Sequence, residues 1–389
     1  MPQERKCLLR ILIENGVLIT PTERVERGWL LVEGERIAAL GAGAPPAADR
    51  RIDAVGRYIA PGFIDLHAQG FRGYDLWDPA DDGFLNATRQ MASSGTTACQ
   101  ASVAPTRAVC ELMRPRIGRS DGGCRVLGLY FETPFISLAK RGAIPAEMVM
   151  PPSPELARKI MDWSRGILSM IIIAPEQPGA MELIPLFRQV DGPAATVVCS
   201  LGHTSATYGQ AVAGIEAGLT HATHLFNAMA GLHHREPGAL GAALTHPGVT
   251  AEIVCDGVHL HPAAVKVAVA CKGVQKTCLI TDCVSANDRE VIDGAPRRPD
   301  GTIAGSILSM DRAVANVQRF AGVSLQQAVE MATLTPARVI GWHRRKGSLA
   351  PGKDADVVIL DENANVKMTM IGGEVVWEEA SGRTERSPT

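Results

Sequence analysis

ATVVCSLGH (195–203) and LTHATHLFN (219–227) decide the fold. Each is a short apolar run of small and β-branched residues with histidine at or near its C-terminal end. Near-continuous apolar runs of this length read as strands buried on both faces, the condition of strands in a parallel sheet. The same texture recurs upstream at YIAPGFIDLHAQG (58–70), GTTACQASVA (95–104), RVLGLYFE (125–132) and SMIIIAPE (169–176). Downstream it returns at TAEIVCDGVHL (250–260) and KTCLITDC (276–283), which makes eight runs. Helical patterns stand between them. Ser153-Pro154 offers an N-cap and an N1 proline before Leu156, Ile160 and Trp163 at helical spacing. Ser324 and Gln327 have the spacing of a capping box. Eight strand–helix units predict an α/β fold, a (β/α)8 TIM-like barrel, over 58–345.

The flanks differ from the middle. Residues 1–57 and 346–389 carry short alternating segments such as CLLRILIEN, GWLLVEGERIAALG and VKMTMIGGEVVWE, broken by Gly, Pro and charge. They predict a small β-sandwich built from both ends of the chain. The length of 389 residues accommodates one barrel and this satellite.

Composition bounds the class. The hydrophobic fraction of 46% and the balance of 39 Lys+Arg against 41 Asp+Glu exclude disorder and give a net charge of -2. Such a balance leaves no electrostatic footprint for nucleic acid or an anionic membrane. Aromatics at 4% leave the core to small aliphatic side chains. Nine cysteines, none spaced as C-x-x-C, read as buried free thiols in a reducing cytoplasm. The N-terminal stretch shows no secretory signal, and no run approaches a membrane span.

In a barrel of this kind the chemistry sits at the C-terminal ends of the strands. Those ends supply His67, Glu132, Glu176, His203, His224, Asp256 with His259, and Asp282. A single histidine at a strand end is ordinarily a packing residue, but ionisable groups at so many equivalent ends point to a site. Glu132, His203 and His224 form a three-ligand set for a catalytic divalent metal, with a fourth position left to water. Such an ion polarises a carbonyl and acidifies water. Asp282 would then accept the water's proton and pass it to a leaving amine. P-loop, dinucleotide, serine-elbow and H-E-x-x-H motifs are absent from the sequence.

PGFIDLHAQG (61–70), GLYFETPFISLAKRGA (128–143), LGHTSAT (201–207), THATHLFNAM (220–229), REPG (235–238), DGVHLHP (256–262) and TDCVSA (281–286) carry a wider likeness. On these segments the chain resembles the amidohydrolase superfamily and, within it, the N-acetylglucosamine-6-phosphate deacetylases. The resemblance implies hydrolysis of the acetamide of an N-acetylated hexosamine phosphate, a small-molecule partner. It matches Glu132, His203 and His224 to the metal ligands and Asp282 to the catalytic acid/base. Asn227, Ala228, Arg235 and His259 match substrate-contacting positions, with part of the phosphate contact supplied across a homodimer. Lys140, Arg141 and Arg235 form a basic cluster suited to one small anion.

Three positions depart from the family pattern. His67-Ala-Gln69 stands where many members have H-x-H, which leaves His67 alone at a second metal position. Thr133 replaces glycine beside Glu132, and Ile144 replaces a carbonyl-polarising histidine. There is no lysine between Lys159 and Lys266, so a bridging carbamylated lysine is not available. The expectation is therefore one divalent metal per chain, zinc with iron as the alternative. Another N-acyl amino sugar or N-acyl amino acid is the alternative substrate class. A catalytically silent sugar-phosphate-binding paralogue is the reading from outside enzymology.

Overall fold

The computed structural model describes residues 8–287 and 289–380. Residues 1–7, part of the stretch on which the reading of no secretory signal rests, and 381–389 of the C-terminal flank lie outside the described residues. Each of the eight apolar runs contains one strand of a single parallel sheet. These are β1 (Phe63–Ala68), β2 (Thr96–Ser102), β3 (Arg125–Phe131), β4 (Leu168–Ile172), β5 (Val198–Leu201), β6 (Leu219–Ala222), β7 (Thr250–Val254) and β8 (Thr277–Ile280). Neighbours in sequence are neighbours in space, and every pairing is parallel. A parallel bridge between Ala68 and Cys283, just beyond β8, joins the ends of the ladder. The result is a (β/α)8 barrel.

Burial explains the strand texture. Leu168–Ile172 and Thr277–Ile280 are buried at every position, because helices cover one face and the barrel interior the other. The helix starts follow their chemistry. Ser153 accepts the backbone N–H of Leu156 at the head of Pro154–Trp163, and Ser324 and Gln327 cap Leu325–Ala332 reciprocally. Eight described cysteines are free, and all but Cys271 are buried. Among the described residues no helix is long and apolar enough to cross a membrane.

The chain ends share one second sheet of eight strands. Arg10–Ile19 pairs antiparallel with Arg24–Glu33, which pairs with Arg36–Ala42, and lies parallel to Arg50–Asp53 and Tyr58–Pro61. Tyr58–Pro61 in turn pairs with Val357–Leu360, the first of three C-terminal strands, so the two flanks meet there. Ile13, Leu30, Ile59, Val357 and Met370 belong to an apolar cluster separate from that of the barrel. The first apolar run thus divides. Tyr58–Pro61 lies in the terminal sheet and Phe63–Ala68 in the barrel, with Gly62 between them. A Cβ at Gly62 would overlap the side chain of Thr97 on β2, so only glycine lets the chain cross so close to the barrel wall.

A buried ion network holds this crossing. The Gly62 N–H donates to the Asp356 carbonyl, and Lys346 Nζ pairs with the Asp356 carboxylate and, at 3.0 Å, with Asp354. Arg345 and Arg36 complete the set around Asp354. Removing one partner from such a pair strands a buried charge, at about 3–5 kcal/mol. Lys346→Ala should therefore lower the denaturant midpoint by an amount of that order. Burial alone would raise Asp354, but Lys346 and then the arginines hold it below its ordinary 3.8. A depressed carboxylate stabilises the fold above its unfolded pKa and ceases to as pH falls through the folded one. The difference between parent and variant should be largest at neutral pH and shrink below pH 3.8. Urea titrations at several pH values measure it.

Candidate functional site

The ends of β5, β6 and β8 carry their ionisable residues by a shared local device, and the end of β3 carries its own directly. Glu132 directly follows β3. His203, His224 and Asp282 each stand two residues beyond a strand and adopt φ of 45°, 25° and 52°. Left-handed backbone at a residue with a bulky or charged side chain costs on the order of 1–3 kcal/mol. Here the turn carries each side chain back over the barrel mouth. Three such turns at equivalent strand ends converge on one point.

Glu132, His203 and His224 each present a donor atom there, all within 4.8 Å of one another. His203 Nε2 and His224 Nε2 face each other at 3.0 Å, and Glu132 Oε2 lies 3.5 Å from His203 Nε2. His203 Nδ1 donates to the Lys140 carbonyl at 2.7 Å, which leaves the Nε2 lone pair directed into the site. The other carboxylate oxygen, Oε1, is already engaged by Ser102 Oγ at 2.7 Å and Gln69 Nε2 at 3.2 Å. Two imidazole nitrogens and one open carboxylate oxygen, converging with no cation side chain between them, fit a divalent metal.

His67 lies beneath this set. Its Nε2 is 3.1 Å from Glu132 Oε1 and 3.5 Å from Asp282 Oδ1, and its Nδ1 is 3.3 Å from Glu252 Oε2. Gln69 presents its amide N–H to Glu132, a donor where a second metal would need an acceptor. Sequence reasoning does not single out Glu252. It sits on β7, fully buried, accepts from His221 Nε2 at 3.0 Å and from the His224 N–H at 3.2 Å, and so braces both histidine-bearing walls. Its one signal is a carboxylate inside an otherwise apolar strand, TAEIVC.

Electrostatics divide the roles. Burial, then the charges of His203 and His67, push His224 down to about 3, so it is a neutral donor. Burial would raise Glu132, but His67 and His203 hold it well below the ordinary range. Burial likewise opposes ionisation of Glu252, yet His221 and His67 bring it to about 2. Burial would depress the His67 imidazolium, and Glu132 and Asp282 outweigh it. Asp282 moves the other way. Burial lifts it, His67 draws it partly back, and the charge of Glu132 adds to the rise.

The set forms the floor of a cavity of about 730 Å³. Glu132, His203, His224, Asp282, Asn227, Ala228 and His259 line it, as do Thr133 and Ile144. His259 Nδ1 bonds Asp256 Oδ2 at 2.6 Å, which fixes the ring with its other nitrogen free. Lys140 and Arg235 are not brought into the wall. Lys140 Nζ donates to the Met229 carbonyl at 3.2 Å, and Arg235 is exposed against His234. The basic side chains on the wall are instead Arg289, Arg297 and Arg298, which the sequence does not single out.

Known proteins resemble the chain over nearly its whole length. Residues 58–376 match the model of the "Amidohydrolase family". The "N-acetylglucosamine-6-phosphate deacetylase" of Bacillus subtilis (strain 168) is 30% identical, with 94% of this chain and 97% of that protein covered. The "N-acetylgalactosamine-6-phosphate deacetylase" of Escherichia coli O157:H7 is 34% identical, with 90% and 96% covered. A solved structure of a mutant N-acetyl-D-glucosamine-6-phosphate deacetylase from Mycobacterium smegmatis, in complex with N-acetyl-D-glucosamine-6-phosphate, superposes with a TM-score of 0.85. It is 32% identical, and 95% of this chain and 99% of that one are covered.

If the three donors hold one ion, gently purified protein should carry about one divalent metal per chain. His203→Ala should reduce that content at least tenfold, since loss of even an outer partner of a metal ligand costs about 10–100-fold in affinity. Elemental analysis of the two proteins, with circular dichroism confirming that the variant is folded, gives the comparison.

Proposed function

The chain belongs to the amidohydrolase family, and we propose that its site hydrolyses the acetamide of N-acetylglucosamine 6-phosphate to glucosamine 6-phosphate and acetate. The observation that carries this reading is the meeting of Glu132, His203, His224 and Asp282 on one cavity floor. A cavity of about 730 Å³ is within the size range of small-molecule sites.

Glu132, His203 and His224 would hold the metal, and a metal bound there supplies Lewis acidity toward water and the amide carbonyl. Zinc suits two imidazoles and a carboxylate, and iron shares that preference. Asp282 receives the proton of the attacking water and delivers it to the amide nitrogen as the carbon–nitrogen bond breaks. With no ion bound, burial and the charge of Glu132 raise its pKa. His67 Nε2, at 3.5 Å, faces Asp282 Oδ1 across the floor and limits that rise. Asn227, Ala228 and His259 line the same cavity and would orient the sugar. Ile144 offers the amide carbonyl no side-chain donor; with Nδ1 on Asp256, His259 can donate to it from Nε2 when protonated, the state that the charges of Asp256 and Asp282 favour against burial.

The galactosamine isomer is the second reading, and the 34% identity to a deacetylase of that name favours considering it. A homodimer is the proposed assembly. Arg235 and Lys140 would then contribute across the interface or after closure, and exposed Leu232 and Leu138 beside them are side chains such an interface would cover. Free, buried cysteines support a cytoplasmic setting.

Asp282→Asn should lower kcat for acetate release by about 10²–10⁴, the usual worth of a positioned acid/base. Metal content should stay at the parent level. Coupled acetate assays on both hexosamine isomers, beside elemental analysis, measure this.

A further inference from the structure

The cavity has two unlike sides. Asn227, Ala228 and His259 stand on the loops after β6 and β7, and the proposed sugar lies against them. The loops after β1, β2 and β3 supply the opposite part of the rim, and there Trp77, Val103, Val109, Ile144 and Met148 line the cavity. Among the described lining residues on that side, the charged side chain is Glu132, a metal donor. Its polar neighbours Gln69 and Ser102 are turned to Glu132 Oε1, at 3.2 and 2.7 Å. Apart from the Thr133 hydroxyl and the Trp77 indole N–H, the lining side chains that remain on that side are apolar.

This wall is held in place by backbone bonds. The Val103 N–H donates to the Tyr130 carbonyl at 3.1 Å, which ties the end of β2 to β3. Arg141 clamps Ile144, accepting its N–H at 3.0 Å and donating to its carbonyl at 2.6 Å. The Met148 N–H donates to the Pro145 carbonyl at 3.1 Å. Trp77, Val109 and Ile144 also pack on the apolar core of the barrel, so they are fixed where they meet the cavity. The direction of the substrate follows from the chemistry. The acyl carbon lies between the metal donors and Asp282, and the leaving nitrogen must be within reach of Asp282, with its sugar against Asn227, Ala228 and His259. The other substituent of that carbon, the acyl chain, then points to the apolar side.

We propose that this wall accepts acyl chains longer than acetyl, so that the site also hydrolyses N-propionyl- and N-butyryl-glucosamine 6-phosphate, with Val109, Ile144 and Met148 setting the chain length. The pocket is assigned on the reading of the site as a phosphosugar deacetylase. The step is the same hydrolysis. Water adds its hydroxyl to the acyl carbon, the carbon–nitrogen bond breaks, and the nitrogen takes the proton. Glucosamine 6-phosphate leaves with propionate or butyrate in place of acetate. An acetyl methyl leaves much of the apolar wall facing water, and each further methylene covers part of it. Burying one methylene is worth about fourfold in affinity.

Binding and turnover test the pocket separately. In Asp282→Asn protein, calorimetry with the N-acetyl, N-propionyl and N-butyryl forms of glucosamine 6-phosphate should show about tenfold tighter binding of butyryl than of acetyl. Butyryl binding no tighter than acetyl would overturn the assignment. In the parent, kcat/KM for the butyryl form should equal or exceed that for the acetyl form, and a fall of about tenfold or more would likewise overturn it. Val109→Phe fills the wall, and Met148→Gln makes it polar at nearly constant volume. Each should lower the ratio of butyryl to acetyl kcat/KM by about tenfold. An equal loss on all three substrates would mark these residues as structural and overturn the assignment. Failure of the underlying reading looks different. Protein that binds the butyryl form more tightly, while the parent releases no acyl group, would sink the deacetylase reading and leave the pocket standing. A parent that releases acetate but neither longer acid would sink the pocket and leave the deacetylase.

Discussion

A carboxylate without access to water sits in the barrel wall. Glu252, on β7, is fully buried, and an isolated charge there would cost several kcal/mol. It is ionised because three donors surround it: His221 Nε2, His67 Nδ1 and the His224 N–H. These come from β1 and from β6 and the turn beyond it, so one acid fixes the relation of three strands that are distant in sequence. It also fixes an orientation. With Nδ1 turned to Glu252, His67 can present only Nε2 to Glu132 and Asp282. The floor of the site is thus set by a group that never touches the cavity.

What lies above that floor follows from strand ends and local strain. His203, His224 and Asp282 hold positive φ at equivalent places, a conformation that a stable barrel can impose and a flexible loop could not. The unfavourable backbone is confined to the residues whose side chains must converge. A rigid wall of buried strands absorbs the strain, and the result is a donor set arranged before any ion arrives.

Much of this is legible in the sequence, for identifiable reasons. Strands covered on both faces lose the alternation that would make them ambiguous, so eight apolar runs announce eight strands. Ligands at strand ends are legible because the barrel puts all such ends on one rim. The bend at Gly62 is not legible, since YIAPGFIDLHAQG is apolar throughout although its first half serves another sheet. Glu252 escapes notice because a lone acid in an apolar run does not show which histidines it will meet. Lys140 and Arg235 stand out for their charge and their match to a family pattern, whereas the direction of a long side chain is set by neighbours such as Met229 and His234. Arg297 and Arg298 lie in a segment with no periodicity, and only the folded hairpin brings them to the wall.

The central claim is that a metal held by Glu132, His203 and His224 makes this cavity an amide hydrolase for a phosphorylated acetamido sugar. Acetate release from N-acetylglucosamine 6-phosphate, followed before chelation, after chelation and after zinc is restored, tests it most directly. The account predicts one acetate per glucosamine 6-phosphate formed, loss on chelation and recovery with metal. Turnover that survives complete metal removal, or a metal-replete protein that releases no acetate from either hexosamine isomer, would contradict it.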